Sequence, residues 1–281
     1  MKFLIIQENG RHIKNRDFRE CFSFQRSLLK NGCQCDVWGK GHENYNQMPN
    51  FNSYDVIIDM ENYDTGWVPS LLNIRAYKII WSIDAHVRGM QYYTDKFKKN
   101  HCQLILQATQ DFLTHNYMSI WFPNCFDNTL IEPRETTKRA DIGFCGNIVN
   151  RQDYLNFLSK NFNFKSDIFV IGKDMVNAIN SYKVHFNKNI GKDVNYRNFE
   201  TIGCRIPLVT DYNSQYAELG FFDGINCMIY KSLPELKEKI TILLSDEKLR
   251  NNIALEGYNL SKLHTYDVRV AWLLKYLREK I

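Results

Sequence analysis

Short apolar runs alternate with longer amphipathic stretches along the first half of the chain. The runs are KFLIIQ, QCDVWG, YDVIIDM, YKIIWSID, CQLILQAT and SIWFPN. Their length and nearly continuous apolar character are typical of parallel strands that are covered on both faces. Residues 16–30 form a helical pattern that ends at Asn31-Gly32, a helix-stop signal. This alternation predicts an α/β fold with a parallel sheet and crossover helices.

The pattern is interrupted at residues 132–139 and then starts again. The segment EPRETTKR is polar and contains a proline, which is typical of a linker. After it, the predicted strands are DIGFCGN, DIFVIG, KVHFN, IPLVTD and NCMIY. Helices are predicted from about Arg151, briefly after DIFVIG, around NYRNFE, between the last two strands, over LPELKEKITILLSD and over residues 247–281. Two α/β halves imply a cleft, and open α/β sheets bind ligands at the carboxyl ends of their strands.

Composition is that of an ordinary globular protein. Of the 281 residues, 44% are hydrophobic and 24% charged, and the net charge of +5 permits nucleic acid binding without indicating it. The eight cysteines include no C-x-x-C pair, so zinc-ligand spacing is absent. The first apolar run is too short for a signal peptide, and none reaches the roughly 18 residues of a membrane helix. These features predict a protein of the reducing cytoplasm.

Two strand ends of the second half carry groups that suit a phosphate. Gly146 and Asn147 follow the strand DIGFCGN, and Arg151 stands at the start of the next helix. Exposed backbone amides at a helix N-terminus with an arginine nearby are typical of anion sites. A tight turn with a solvated arginine explains the same residues. Lys173, after the strand DIFVIG, is a weaker candidate of the same kind.

The segment GKDVNYRNFE has a stronger pattern. Its candidate donors are Lys192, Asn195, Tyr196 and Arg197, and Glu200 is an acceptor about one helical turn further on. Cations and amides that hold a diphosphate, with an acid that holds a ribose, are what a sugar nucleotide requires. The alternative is a capped surface helix in which Glu200 pairs with Arg197 or Arg205. Spacing alone favours neither interpretation.

Asp84 and His86 follow an apolar strand of the first half. Two residues apart in an extended segment, they are expected to point the same way. Each can serve as a base, a hydroxyl-binding group or a ligand for a metal. The alternative is structural: Asp84 caps the next helix, and His86 packs against Tyr92 or Tyr93.

The second half resembles the GT-B glycosyltransferases, specifically the CgeB-like group. The resemblance rests on NYRNFETIGCRIPLVTD, which is similar to the group's N-x-R-x-F-E-x-x-x-C-G-x-x-L-x-T-D signature, supported by WFPNCFD, DIGFCGN and HTYDVRV in the expected order. It spans about residues 121–269, and the first third of the chain matches in pattern only. Two positions depart from the group: Lys192 stands where many retaining relatives have a glutamate, and Arg205 stands where a glycine is usual.

The resemblance implies two Rossmann-like domains and a metal-independent glycosyltransferase. Residues 1–135 would form the acceptor domain, onto which residues 265–281 pack back, and residues 136–264 would bind a nucleotide-sugar donor. Glu200 matches the ribose-binding glutamate. Arg197 would stabilise the departing diphosphate, and Asp84 or His86 would act on the acceptor hydroxyl. The alternatives are a glycosyltransferase of modified bases in DNA, a sugar-nucleotide epimerase, and an inactive nucleotide-sugar-binding protein. Donor sugar, acceptor and stereochemical outcome stay open.

Overall fold

The chain forms two compact units in the computed structural model, which describes residues 1–10 and 12–281. The first unit comprises Met1–Asn124 and Tyr266–Ile281, and the second comprises Cys125–Thr265. Each unit is an α/β structure with a single parallel sheet.

The first unit has a six-stranded sheet in the order β2-β1-β3-β4-β5-β6, with every described pair parallel. Its strands are β1 (Lys2–Ile6), β2 (Gln34–Trp38), β3 (Val56–Asp59), β4 (Tyr77–Ser82), β5 (Leu104–Gln107) and β6 (Ser119–Trp121). Its helices are α1 (Glu20–Lys30), α2 (Ala85–Arg88), α3 (Met90–Lys99) and α9 (Tyr266–Arg278). Because helices cover a sheet of apolar strands, β1, β3 and β4 are almost entirely buried.

The second unit has a five-stranded parallel sheet in the order β11-β10-β9-β7-β8. Its strands are β7 (Ala140–Gly146), β8 (Phe164–Ile168), β9 (Tyr182–Phe186), β10 (Leu208–Asp211) and β11 (Met228–Tyr230). Its helices are α4 (Gln152–Asn161), α5 (Gly172–Asn180), α6 (Tyr196–Gly203), α7 (Leu233–Ser245) and α8 (Glu247–Ser261). A core that includes Phe144, Phe186 and Leu236 fills the space between sheet and helices.

Each sheet reverses its strand order once. In the second unit the chain runs from β7 outward to β8 and then returns to β9 on the other side of β7. The loops after β7 and β9 therefore diverge, which leaves a crevice at the carboxyl ends of these neighbouring strands. Such a crevice is the usual ligand site of open α/β sheets. The equivalent reversal in the first unit lies between β1 and β3.

Four predicted elements differ in the structure. The helix predicted over residues 16–30 begins only at Glu20, after a 3-10 helix over Ile13–Phe18. The strand predicted over DIFVIG lies earlier in the chain, over Phe164–Ile168, because β7, with which it pairs, ends at Gly146. The helix predicted between β10 and β11 is a run of turns. The helical segment predicted over residues 247–281 is interrupted between Ser261 and Tyr266.

Candidate functional site

Arg151 joins the two loops that flank the crevice of the second unit. It precedes α4, is only 7% exposed, and donates through Nε to the Lys188 carbonyl at 2.9 Å and through Nη1 to the Asn147 carbonyl at 2.9 Å. Burial and repulsion from Arg197 lower the pKa of Arg151. Two guanidinium groups therefore interact unfavourably beside the carboxyl ends of β7 and β9. An anion bound there would relieve this repulsion.

The helix α6 begins at the same crevice because Asn195 caps it. The Asn195 side-chain oxygen accepts a hydrogen bond from the Arg197 backbone N–H at 3.1 Å. Further along the helix, Arg197 Nη1 lies 2.5 Å from Glu200 Oε2, and the same nitrogen contacts the sulfur of Met175 on α5. Burial is the largest single influence on Arg197 and lowers its pKa, but the Glu200 carboxylate and smaller contributions from neighbouring groups together raise the pKa above its usual value. The predicted donor and acceptor of this motif thus form an ion pair.

Buried amides and hydroxyls fix the loop between β9 and α6. Asn189 Nδ2 donates to the Tyr216 hydroxyl at 2.7 Å, Asn198 Nδ2 donates to Asn189 Oδ1 at 2.8 Å, and Asn187 Nδ2 donates to Asn198 Oδ1 at 3.0 Å. Thr210 Oγ1 also bonds to Asn198 Oδ1 at 3.2 Å. All five side chains are nearly inaccessible. This network shapes the crevice, and none of its members was predicted from the sequence to belong to the site.

The turns that replace the predicted helix after β10 also support the loop between β9 and α6. Asn213 Nδ2 and Gln215 Nε2 both donate to the Lys192 backbone carbonyl, at 3.0 and 2.6 Å, and the Tyr216 hydroxyl reaches Thr210 at 2.9 Å. A regular helix would not present both Asn213 and Gln215 to the Lys192 carbonyl, since side chains two residues apart do not share a helix face. Satisfying the buried polar groups therefore overrides helix formation here.

The remaining predicted residues of the second unit lie around the crevice with different exposure. Gly146 ends β7, and the exposed Asn147 follows it and accepts from the Val149 backbone N–H at 3.0 Å. Lys192 is exposed in the loop after β9, and the half-buried Tyr196 opens α6. Lys173 is exposed in the first turn of α5, the helix whose Met175 contacts Arg197.

Glu61 organises the polar groups at the strand ends of the first unit. One carboxylate oxygen accepts the backbone N–H groups of Ile83 and Asp84 at 3.1 and 2.8 Å, and the other pairs with Arg88 Nε. The Asp84 carboxyl is solvent-accessible but packed among protein atoms. This desolvation, together with the carboxylates of Glu61 and Glu20, raises its pKa to about 6.

The predicted orientation of Asp84 and His86 is wrong. The strand β4 ends at Ser82, Asp84 occupies the N-cap position of α2, and His86 lies within that helix. Side chains two residues apart on a helix do not share a face. The His86 Nδ1 atom is buried and has no hydrogen-bond partner among the described residues. Burial lowers the pKa of His86, which keeps the ring neutral near pH 7.

Residues 1–10 and 12–281 contain neither a cluster of metal-binding side chains nor a helix that could span a membrane. No group of three or more His, Cys, Asp or Glu side chains is arranged to hold a metal ion. No helix within that part of the chain is long and apolar enough to cross a membrane.

The sequence model of the Glycosyl transferase-like family matches residues 128–275, more than half of the chain. The chain therefore belongs to this family. The match includes Arg151, Arg197 and Glu200, all at the crevice of the second unit. No curated protein sequence matches significantly.

Solved structures establish the fold over nearly the whole chain. Anabaena HepE, in complex with UDP and glucose, aligns over 100% of both chains with a TM-score of 0.65 and 11% identity. T4 phage BGT, in complex with UDP-glucose, aligns over 99% of both with a TM-score of 0.68 and 12% identity. An α-glucosyltransferase, in complex with UDP and a 13-mer DNA, aligns over 94% of this chain and 96% of its own with a TM-score of 0.67 and 10% identity.

The family match and these structures confirm two predictions from the sequence. The chain has the GT-B fold, and it is a glycosyltransferase. The narrower assignment to the CgeB-like group stays a prediction.

Proposed function

We propose that the protein transfers a sugar from a uridine diphosphate sugar to an acceptor hydroxyl and requires no metal. The observation that carries this proposal is the pair of guanidinium groups, Arg151 and Arg197, held beside the N-terminus of α6 at the sheet reversal of the second unit. A helix N-terminus and two cations suit a diphosphate. The UDP and UDP-glucose in the similar structures support uracil as the base.

The proposed chemistry follows from where charge develops. The acceptor oxygen bonds to the anomeric carbon, and the bond between that carbon and the diphosphate oxygen breaks, so negative charge grows on the leaving diphosphate. Arg197 and the positive end of α6 stabilise this charge, while Glu200 accepts hydrogen bonds from the ribose hydroxyls. Asp84 or His86 takes the proton of the acceptor hydroxyl. The other proposed donor-binding residues are Gly146, Asn147, Arg151, Lys173, Lys192, Asn195 and Tyr196.

Metal independence and cytoplasmic location are parts of the same proposal. Cationic side chains at the crevice supply the charge that a metal would otherwise supply, so turnover should persist in excess EDTA. The eight cysteines are thiols outside any disulfide, and all but Cys33 are buried, which supports a reducing compartment.

The test is a thermal-shift comparison of UDP, GDP, ADP and dTDP, followed by a donor-hydrolysis assay with UDP-sugars. A ligand that binds only the native state raises the melting temperature by mass action. UDP should stabilise the protein most, and a UDP-sugar should be hydrolysed slowly without acceptor. No stabilisation by any nucleotide would refute the proposal. Binding without hydrolysis would favour an inactive binding protein, and an isomerised donor would reveal an epimerase.

A DNA base is the second candidate for the acceptor. It is favoured by the similarity to the α-glucosyltransferase with bound DNA and permitted by the net charge of +5. Binding to duplex DNA that weakens steeply with salt, together with transfer to hydroxymethylated DNA, would support it.

A further inference from the structure

A polar cavity of about 680 Å³ opens along the edge of the sheet in the first unit. Asn9 and Gly41 line it at the carboxyl ends of β1 and β2, and Tyr54 lines it at the opposite end. Its volume lies within the range of about 300–1,000 Å³ that is usual for small-molecule sites. We call this space, with its lining along β2, the edge cavity.

The edge cavity is not built to receive another strand. The outward carbonyls of the edge strand β2 are already occupied: Gln25 Nε2 donates to the Cys35 carbonyl at 2.8 Å, and Asn44 Nδ2 donates to the Val37 carbonyl at 3.0 Å. A docking peptide needs these groups for its ladder. The cavity therefore offers side chains, not backbone, to a ligand.

The charges of the edge cavity select against phosphate. Among its described lining residues, Asp17, Asp36 and Glu43 carry carboxylates and Arg16 carries a guanidinium. Burial lowers the pKa of His42, so this side chain adds no positive charge near pH 7. The excess of carboxylates repels the backbone of a nucleic acid, whereas carboxylate oxygens accept hydrogen bonds from hydroxyl groups.

Aromatic rings complete a lining that suits sugars. The half-buried Phe22 lines the edge cavity and packs edge-on against His42 with ring centroids 5.5 Å apart, whereas Trp38, also at the wall, is 2% exposed and belongs to the core. Aromatic side chains combine a large apolar surface with defined geometry. A ligand with apolar ring faces and a rim of hydroxyls matches both parts of this wall.

A continuous series of hydrogen bonds connects the edge cavity with Asp84. His42 Nε2 bonds to the Gln7 carbonyl at 2.9 Å, Gln7 Nε2 donates to the Glu61 carbonyl at 3.2 Å, and the Glu61 carboxylate accepts the Asp84 N–H at 2.8 Å. The strands β2 and β4 are three places apart in the sheet, which is about 14 Å at the usual strand spacing. A single sugar does not span this distance, but several linked sugars do.

We propose that the edge cavity binds the remote end of an oligosaccharide acceptor whose reacting hydroxyl lies at Asp84. The role as acceptor site rests on the proposed glycosyltransferase reaction and on the proposed role of Asp84, whereas binding of the saccharide does not. The ligand class is a neutral chain of several sugars, and the proposal excludes DNA from this cavity.

Binding is tested by saturation-transfer NMR and calorimetry with mono-, di- and trisaccharides of glucose, galactose and N-acetylglucosamine. The exposed Gln47 lines the cavity and its exposed neighbour Asn46 does not, so Gln47→Trp and Asn46→Trp form a matched pair. We expect at least one trisaccharide to bind more tightly than its monosaccharide. Gln47→Trp should weaken that binding tenfold or more, and Asn46→Trp less than twofold. Failure of every saccharide to bind at millimolar concentration would overturn the proposal.

Kinetic measurements distinguish a failure of this proposal from a failure of the proposed donor reaction. Gln47→Trp should raise the KM for the trisaccharide tenfold or more and leave the KM for the monosaccharide and the rate of donor hydrolysis unchanged. Loss of donor hydrolysis in the wild type would instead refute the proposed function. Duplex DNA that binds the wild type, binds Glu43→Lys more tightly and is blocked by Gln47→Trp would show that the cavity takes nucleic acid and would overturn the inference.

Discussion

Arg197 and Glu200 lie one turn apart on α6 and form an ion pair of 2.5 Å, with side chains 19% and 15% exposed. The ion pair leaves unused hydrogen-bonding capacity on both side chains. A guanidinium carries five N–H donors and a carboxylate about four acceptor positions, so Arg197 can also contact phosphate and Glu200 can also accept from ribose. The ion pair thus fixes the positions of both side chains, and under the proposed function both keep hydrogen-bonding groups for the nucleotide.

Replacement of Glu200 by alanine should weaken UDP binding by about 1.5–3 kcal/mol, because a charged hydrogen-bond acceptor is lost. Calorimetry measures the affinity, and circular dichroism checks that the variant folds. Glu256→Ala is the matched control, since Glu256 is exposed on α8 within the same unit. Unchanged affinity in Glu200→Ala would remove this residue from the site.

Replacement of Arg197 by alanine should lower kcat more than it lowers donor affinity. Phosphate charge grows as the glycosidic bond breaks, so an arginine beside it contributes more to the transition state than to the ground state. Steady-state kinetics at saturating donor measure the effect, and we expect about 10²-fold or more. The exposed Arg205 provides the control Arg205→Ala. A variant with weaker donor binding and full kcat would contradict the proposed role, and Arg151 would then be tested.

The strand ends of the second unit could be predicted because local pattern and topology agree there. Apolar runs identify β7, β9 and β10, and in a parallel sheet whatever follows each run lies at one edge. Asn195 is a strong helix-capping residue, so the start of α6 was also accessible from sequence. Spacing could not decide whether Glu200 pairs with Arg197 or binds a ligand, since a separation of one helical turn allows both.

The buried amide network could not be predicted for a different reason. Asn187, Asn198 and Tyr216 belong to three segments that are brought together only by the tertiary fold. Each is a common residue in a polar loop, so no short pattern marks them. The orientation of His86 could not be predicted either. β4 ends at Ser82 and α2 begins at Ala85, so His86 follows the side-chain repeat of a helix and not the two-residue repeat of a strand.

Arg205 occupies a backbone conformation that usually belongs to glycine. Its φ is +56°, and its N–H donates to the Ile202 carbonyl at 3.0 Å just after α6 ends. Left-handed backbone costs a residue with a Cβ about 1–2 kcal/mol, so Arg205→Gly should raise the free energy of unfolding by about 1 kcal/mol. Urea titration measures the change. Lys237→Gly, in the middle of α7, should lower stability by about 1 kcal/mol. A less stable Arg205→Gly would show that the arginine side chain contributes more than the strain costs.

Asp84→Asn and His86→Ala separate the two candidate bases. With donor saturating and a saccharide acceptor present, loss of the base should reduce transfer by about 10²-fold or more, while UDP affinity is kept. The variants assign the residue, and the pH profile adds a check: if Asp84 is the base, transfer by the wild type and by His86→Ala falls with acidification around pH 6, where the Asp84 carboxyl takes up a proton. Asp111→Asn is a control on another exposed acid of the same unit. Near-normal transfer by both variants would return Asp84 and His86 to a structural role.

The titration of Asp84 should also make the free energy of unfolding depend on pH. Its pKa is raised in the folded state from 3.8 to about 6, by burial first and by Glu61 and Glu20 second. The folded chain therefore holds a proton that the unfolded chain has released, and this contribution to stability is complete below about pH 4 and lost as pH rises through about 6. Asp84→Asn removes the dependence, so its free energy of unfolding relative to the wild type should rise between pH 4 and pH 7. Urea titrations across this range measure the difference, with Asp111→Asn as the reference. A difference that stays flat with pH would mean that the Asp84 carboxyl titrates normally, and a difference that falls would mean that the folded protein stabilises its ionised form.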